Sequence, residues 1–353
     1  NNYISLRRLD DYKLQAEVDS RILSWIDDGA EEGDRSELDF IPLSEQWNEI
    51  NSDADDCLRN KCSQYQECYY FKARKKAENA DIIIVNHSLL LIDAANGGNI
   101  LPKYNILVID EAHQLPEVAT KSFSLSITLR GVQYLCNRCS KHLGTPGYMV
   151  HGLEELGAEF FHRLQMSLPY GRSRLRKAPD GSDELIQGLL DLRDWLGAQE
   201  FEQVIDLDNK RDKLKLKAKS LATTASGYIR CLDLLVNQEA EWVFWAEKSE
   251  ANRVELTAAP LNVSEMLANN IFNKEDLETS IWMSATLATN GEDPFAYFKK
   301  EIGAPNLIIQ ERVSSPFDYK RQAVLYLPST VPDPNSRDFG PAIADHIEEI
   351  LHL

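Results

Sequence analysis

Two groups of side chains in this sequence have the types and spacing to do chemistry. The first is Asp110-Glu111, which ends the aliphatic run Ile106-Leu107-Val108-Ile109. In open α/β sheets chemistry collects at the carboxyl ends of the strands. An Asp there can hold Mg²⁺ on a nucleotide's phosphates, and the adjacent Glu can orient or deprotonate an attacking water. The bland alternative is a strand that ends in two acids because carboxylates are favourable at a helix N-terminus. The second group is Cys57, Cys62 and Cys68, separated by four and by five residues. Soft thiolates at such short spacing suit an iron–sulfur cluster or zinc. Packing is the alternative, since a free Cys is a good small hydrophobe. Cys136-Asn137-Arg138-Cys139 has no second pair and reads as two helix residues, and Cys231 reads as core.

The elements that must position these groups follow from local pattern. Ile106–Ile109 reads as a strand buried on both faces of a parallel sheet. Asp81-Ile82-Ile83-Ile84-Val85-Asn86-His87 reads as a second buried strand, and Ile281-Trp282-Met283 as an apolar run into Ser284-Ala285-Thr286. Helices are expected over 10–25 and 69–80, with an acidic, Gly-containing loop over 27–39 between them. From about Ser126 to Gln238 the periodicity is helical, best over 152–168, 183–196 and 214–236, with a basic Pro/Gly loop over 169–181. Glu241–Trp245 and Arg253–Thr257 read as a hairpin, and Ser264 as the cap of the next helix.

Composition sets the class. The chain has 353 residues, 43% hydrophobic and 27% charged, ordinary for a globular α/β protein with room for two domains. Six cysteines are too few for a disulfide scaffold. No run approaches the roughly 20 apolar residues of a membrane span, and no signal peptide opens the chain, so a cytoplasmic protein without a membrane partner is expected. A net charge of −18 weighs against nucleic-acid binding, but local basic runs matter more, at 72–76, 172–177 and 210–219. Taken singly, each reads first as a solvated face.

Asp110-Glu111-Ala112-His113 resembles the DEAH box, motif II of superfamily 2 helicases. Ser284-Ala285-Thr286 resembles motif III, and Asn86-His87 the pair that the DinG and XPD branch carries just ahead of its DEAH box. About 170 residues separate the two motifs, where most helicases have a few tens, and that branch has a large helical insertion, the arch. Its four-Cys [4Fe-4S] site has one upstream ligand and three spaced like Cys57, Cys62 and Cys68. The upstream ligand follows Asn-Tyr and one apolar residue, and here Asn2-Tyr3-Ile4 is followed by Ser5, a poor ligand for soft iron. The resemblance leaves open a cluster completed by Ser5, a three-iron or zinc site, or an empty one.

The resemblance implies a partial RecA-like parallel-sheet motor domain with an iron–sulfur-type insert and a large helical arch. The expected divisions are insert 1–80, motor domain 81–120, arch 121–238, return to the motor domain 239–310, and start of a second motor domain 311–353. It implies an ATP-dependent helicase moving 5′ to 3′ on single-stranded or forked DNA in repair or replication, as a monomer with a possible repair or replication partner. Asp110 would hold Mg²⁺ and Glu111 would activate water. His113, Ser284, Ala285, Thr286, Asn86 and His87 would couple the ATP site to DNA. No Gly-x-x-x-x-Gly-Lys-Ser/Thr loop occurs, so the phosphate loop is expected before Asn1, the last Arg-bearing motif after Leu353, and these residues alone are expected not to turn over ATP. The alternatives are a helicase-derived exonuclease and a non-enzymatic docking module.

Overall fold

The computed structural model describes residues 3–6, 19–43, 46–47, 50–52, 57–95, 97–98, 100–201, 210–304 and 309–352. It divides into two units, Asn1–Ile308 and Ile309–Leu353.

The first unit holds three apolar cores. The smallest is Ile4, Ile22, Trp47 and Ile50. Helix α1 (Ser20–Asp27) contributes Ile22, and Asp19 caps it by accepting from the Arg21 N–H at 3.0 Å. The expected helix thus runs on to Asp27, and its stretch 10–18 lies outside the described residues. The acidic loop closes through a capping box in which Asp34 and Glu37 satisfy each other's backbone. Gly33 sits at φ +65°, and a Cβ there would fall 2.3 Å from the Tyr69 ring. Helix α2 (Tyr69–Glu78) is thereby held close against this loop.

The second core joins α3 (His87–Ala95), α4 (Leu115–Phe123), α9 (Ser264–Leu267) and α10 (Ala296–Ile302) to a parallel pair of strands. These are β1 (Ile106–Ile109) and β6 (Thr279–Trp282), in register from Ile106 opposite Thr279 to Ile109 opposite Trp282. Leu90, Leu91, Leu115 and Ile271 pack with Ile109. The expectation that β1 is buried on both faces does not hold here, since Ile106 is 58% and Val108 54% exposed. Nor is 82–86 a strand, and Ile82 and Ile84 point to solvent. The physical reason is shared. Among the described residues this sheet has two strands, and a continuous apolar run becomes a buried strand only with neighbours on its edges and a layer on each face. Ser264 does not cap α9; Asn262 Oδ1 accepts from the Ser264 N–H at 2.8 Å.

The third and largest core lies between these strands in sequence. It combines α5 (Leu129–Leu143), α6 (Gly147–Ser167), α7 (Ser182–Gly197) and α8 (Lys210–Val236) with an antiparallel sheet. The apolar positions recur at helical spacing, as in Leu185, Leu189, Leu192 and Leu196 of α7, all 2% exposed or less. Thr128 caps α5 through the Gly131 N–H, and Gly144 ends it at φ +64°. The sheet order is β2-β5-β4-β3, from β2 (Leu125–Thr128), β3 (Gly171–Arg174), β4 (Trp242–Lys248) and β5 (Val254–Pro260). The hairpin β4–β5, grouped in the sequence with the return to the motor domain, buries Phe244, Ala246, Leu256 and Ala258 in this same core. β2 pairs with β5 from Leu125 opposite Ala258 to Thr128 opposite Glu255. Lys61, next to Cys62, forms an ion pair with Asp212 of α8 at 2.5 Å.

The second unit contains α11 (Tyr319–Gln322) and α12 (Phe339–Leu351), with no buried residue among those described. The His346 ring lies between the Tyr326 hydroxyl at 3.0 Å and the Thr330 hydroxyl at 3.1 Å. No described helix is long and apolar enough to cross a membrane.

Candidate functional site

The carboxyl ends of β1 and β6 build the site. The Met283 N–H donates to the Ile109 carbonyl at 2.9 Å, and the Ala112 N–H donates to the Met283 carbonyl at 2.9 Å. These two bonds carry the parallel ladder past the strands and lock the Asp-Glu-Ala-His turn onto the Ser-Ala-Thr turn. Ala112 is fully buried beneath this junction, while Asp110, Glu111 and His113 stay at the surface. A larger residue at Ala112 has no room, so the small residue between two acids and a histidine has a packing reason.

Asp110 Oδ1 accepts from the Glu111 N–H at 2.9 Å, which orients the exposed carboxylate. His87 Nε2 donates to the Asp110 carbonyl at 2.9 Å and ties the start of α3 to motif II. Glu111 has φ 46° and ψ 43°, the left-handed region that a branched or charged side chain rarely adopts. That turn brings its carboxylate back to 3.2 Å from His113 Nδ1. The same nitrogen lies 2.8 Å from Ser284 Oγ. Ser284 Oγ in turn accepts from the Thr286 N–H at 3.2 Å and lies 3.4 Å from the Thr286 hydroxyl. A continuous polar chain therefore runs from Glu111 through His113 and Ser284 to Thr286.

Of the residues singled out in the sequence, Asp110, Glu111, His113, Ser284, Thr286 and His87 meet here. Asn86 does not face the others. Its Oδ1 accepts from the Leu89 N–H at 2.8 Å and caps α3. Ala285 is exposed in the turn between Ser284 and Thr286. Two contributors carry no sequence signal. Met283 acts through its backbone carbonyl. Asp93, 1% exposed, accepts from the Ile100 and Leu101 N–H groups at 2.7 and 3.0 Å and lies 3.8 Å from Lys274 Nζ. It pins the segment that leads into β1.

An exposed carboxylate suits Mg²⁺, which keeps several waters and takes only one or two carboxylates beside substrate phosphates. Asp110 fits that description.

The cysteines form a separate site. Cys57, Cys62 and Cys68 line one small cavity, of about 30 Å³, together with Ser5 and Phe71. The structure thus brings Ser5 to the thiols from 52 residues away in sequence. Among the described residues, no three His, Cys, Asp or Glu side chains converge closely enough to hold a metal ion. A tetrahedral zinc needs its thiolates about 2.3 Å from one point. Cys136, Cys139 and Cys231 are buried elsewhere, and burial pushes each thiol up to about 12. All three pack in the interior of the third core, away from the cavity of Cys57, Cys62 and Cys68.

Residues 36–132 match the DEAD_2 family model. Over 366 residues the chain is 28% identical to the ATP-dependent DNA helicase YoaA of Haemophilus influenzae, covering 95% of this chain and 53% of that protein. It is 28% identical to YoaA of Escherichia coli over 99% of this chain and 56% of that protein. It is 27% identical to the ATP-dependent helicase DinG of Mycobacterium tuberculosis over 91% and 47%. The chain spans about half the length of these curated relatives. A solved structure, Xpd4 of S. tokodaii, aligns at TM-score 0.38 and 14% identity, over 62% of this chain and 43% of that one.

Proposed function

We propose that this DinG/XPD-like chain carries motifs II and III of an ATP-dependent DNA helicase that moves 5′ to 3′ on single-stranded DNA in repair or replication. Its relatives are named ATP-dependent DNA helicases, and the observation that carries the reading for these residues is the polar chain Glu111–His113–Ser284–Thr286. It joins two motifs that lie 171 residues apart in sequence. When bound, Mg²⁺ supplies charge neutralisation on the phosphates. Asp110 would hold the ion through its carboxylate. Glu111 orients the attacking water and accepts its proton. His113 reports the state of Glu111 to the Ser284 hydroxyl, and the Thr286 backbone moves with it.

In the same reading, the third core is the arch, which is supported by its helices and hairpin sharing one interior. Cys57, Cys62 and Cys68 are ligands of an iron–sulfur cluster whose fourth position falls to Ser5, supported by the common cavity. Glu111→Gln in the parent protein tests the helicase reading. DNA-stimulated ATP hydrolysis should fall by a factor of about 100 or more with ATP binding retained, and wild-type turnover would overturn it. Iron and sulfide content with a visible spectrum, on protein purified without oxygen, tests the cluster. Metal-free protein in which all three thiols react freely removes that part alone.

A further inference from the structure

The side chains at the cysteine cavity are not equivalent. Cys57, Cys62 and Cys68 belong to one short segment, and that segment is fixed by its own backbone. The Cys62 N–H donates to the Arg59 carbonyl at 3.0 Å, and the Tyr65 N–H donates to the Cys62 carbonyl at 3.1 Å. The Cys68 carbonyl accepts from the Lys72 N–H at 2.9 Å in the first turn of α2. Leu58, 5% exposed, and the paired rings of Tyr65 and Phe71, with centroids 4.5 Å apart, wall the same cavity. Lys61 ties the segment to Asp212 of α8.

Ser5 reaches the cavity from elsewhere in the chain and is anchored separately. Its N–H donates to the Ile50 carbonyl at 2.8 Å, and the Ile4 N–H donates to the Gly33 carbonyl at 2.9 Å. Ile4 is fully buried in the smallest core. None of these bonds uses the Ser5 hydroxyl. The backbone therefore keeps Ser5 at the cavity whether or not its oxygen holds anything.

Chemistry separates the four donors further. Thiolates are soft and suit the iron of a cluster, whereas a serine oxygen is hard and suits it poorly. Each thiolate would hold one iron, and the remaining iron would have the serine oxygen alone. That bond is the weakest of the four. Its loss leaves the thiol segment, with its own hydrogen bonds and its link to α8, as it was.

We propose, resting on the cluster reading above, that Ser5 makes one iron of the site removable, so that the site gives up and takes back a single iron with redox state. In the forward step the bond between Ser5 Oγ and iron breaks, and Oγ takes a proton from water. A [4Fe-4S]²⁺ cluster releases Fe²⁺ and passes one electron to a one-electron oxidant, leaving [3Fe-4S]⁺ on Cys57, Cys62 and Cys68. In the reverse step a reductant returns the electron, Fe²⁺ re-enters, and Ser5 gives its proton back to water. Both anchors persist throughout, which is what makes the step reversible.

The test is a ferricyanide titration of the 353-residue chain purified without oxygen, followed by iron and sulfide content and by EPR. Wild type should lose about one iron of four with its sulfide retained, and should gain the sharp EPR signal of an oxidised three-iron cluster. Dithionite with ferrous iron should erase that signal and restore the iron. S5C supplies a thiolate at the same place and should lose iron about tenfold more slowly. S5A keeps the backbone bond to Ile50, so its fold should stand, and it should already carry the three-iron signal as purified. The proposal is overturned if wild type holds its iron as firmly as S5C, if iron and sulfide leave together, or if S5A behaves like wild type. In each of those cases the cluster reading survives. Protein without iron or sulfide in wild type and S5C alike overturns the cluster reading and the proposal together.

Discussion

The His113 imidazole and the Ser284 hydroxyl meet at 2.8 Å from opposite ends of a 171-residue excursion of the chain. The same nitrogen faces Glu111 at 3.2 Å. A proton on Nδ1 can therefore be shared toward the carboxylate or toward the hydroxyl, and a change at Glu111 is felt at Thr286 through one ring. Single loss of either partner should break the relay as completely as loss of both. In the parent protein, His113→Ala and Ser284→Ala should each lower DNA stimulation of ATP hydrolysis several-fold. The double variant should be no worse than the weaker single, with a coupling energy of about 1 kcal/mol. Additive losses would show that the two residues act independently.

Glu111 stores backbone strain at φ 46°. Glycine takes that conformation without the Cβ clash, so Glu111→Gly should stabilise the fold by about 0.5–1 kcal/mol while removing hydrolysis. Glu111→Gln should remove hydrolysis with no gain in stability. Thermal unfolding of the two variants separates them, and equal melting temperatures would deny the strain.

Much of this was legible in the sequence because the signals are local. Asp110-Glu111-Ala112-His113 and Ser284-Ala285-Thr286 are contiguous, and the helices of the third core announce themselves by period. Three things were not legible. β2 and β3 are short strands whose pairing with distant β5 and β4 decides their state, and Gly171–Arg174 has no β-forming side chain to advertise it. The apolar run at 82–84 looked like a buried strand, yet burial needs neighbours that lie outside the run itself. Asp93 looked like one acid among many, and only its burial against two backbone N–H groups reveals its work.

Asp93→Ala should cost about 1–3 kcal/mol, because two half-buried N–H donors lose their acceptor. Chemical denaturation should show this as a lower midpoint with an unchanged slope. Lys274→Met should cost less, since Lys274 lies at 3.8 Å and leaves the two backbone bonds in place. Equal costs would shift the role from the backbone bonds to the ion pair.

Thiol reactivity should divide the cysteines in half. At pH 8, metal-free folded protein should react rapidly at Cys57, Cys62 and Cys68, which are half-buried, and at Cys136, Cys139 and Cys231 only after unfolding. Burial raises these last three thiols from an ordinary value near 9 to about 12. The folded state therefore holds their protons more tightly than the unfolded chain does. Their contribution is fully present below pH 9 and is lost as pH rises toward 12. Melting temperature should fall steadily from pH 9 to pH 11, and a Cys231→Ala variant should show a shallower fall. Six fast thiols at pH 8 would contradict the burial.

Leu125 stands directly opposite Ala258 at the base of the third core. Paired residues of an antiparallel ladder are about 5 Å apart, so the chain leaves and re-enters at nearly the same place. Residues 126–257 thus make a closed excursion from one place in the unit. A tight turn could replace them without moving α4 or α9, and loop closure depends only weakly on length. A lineage could enlarge, shrink or exchange this block while the residues around Asp110 and Ser284 stayed in place.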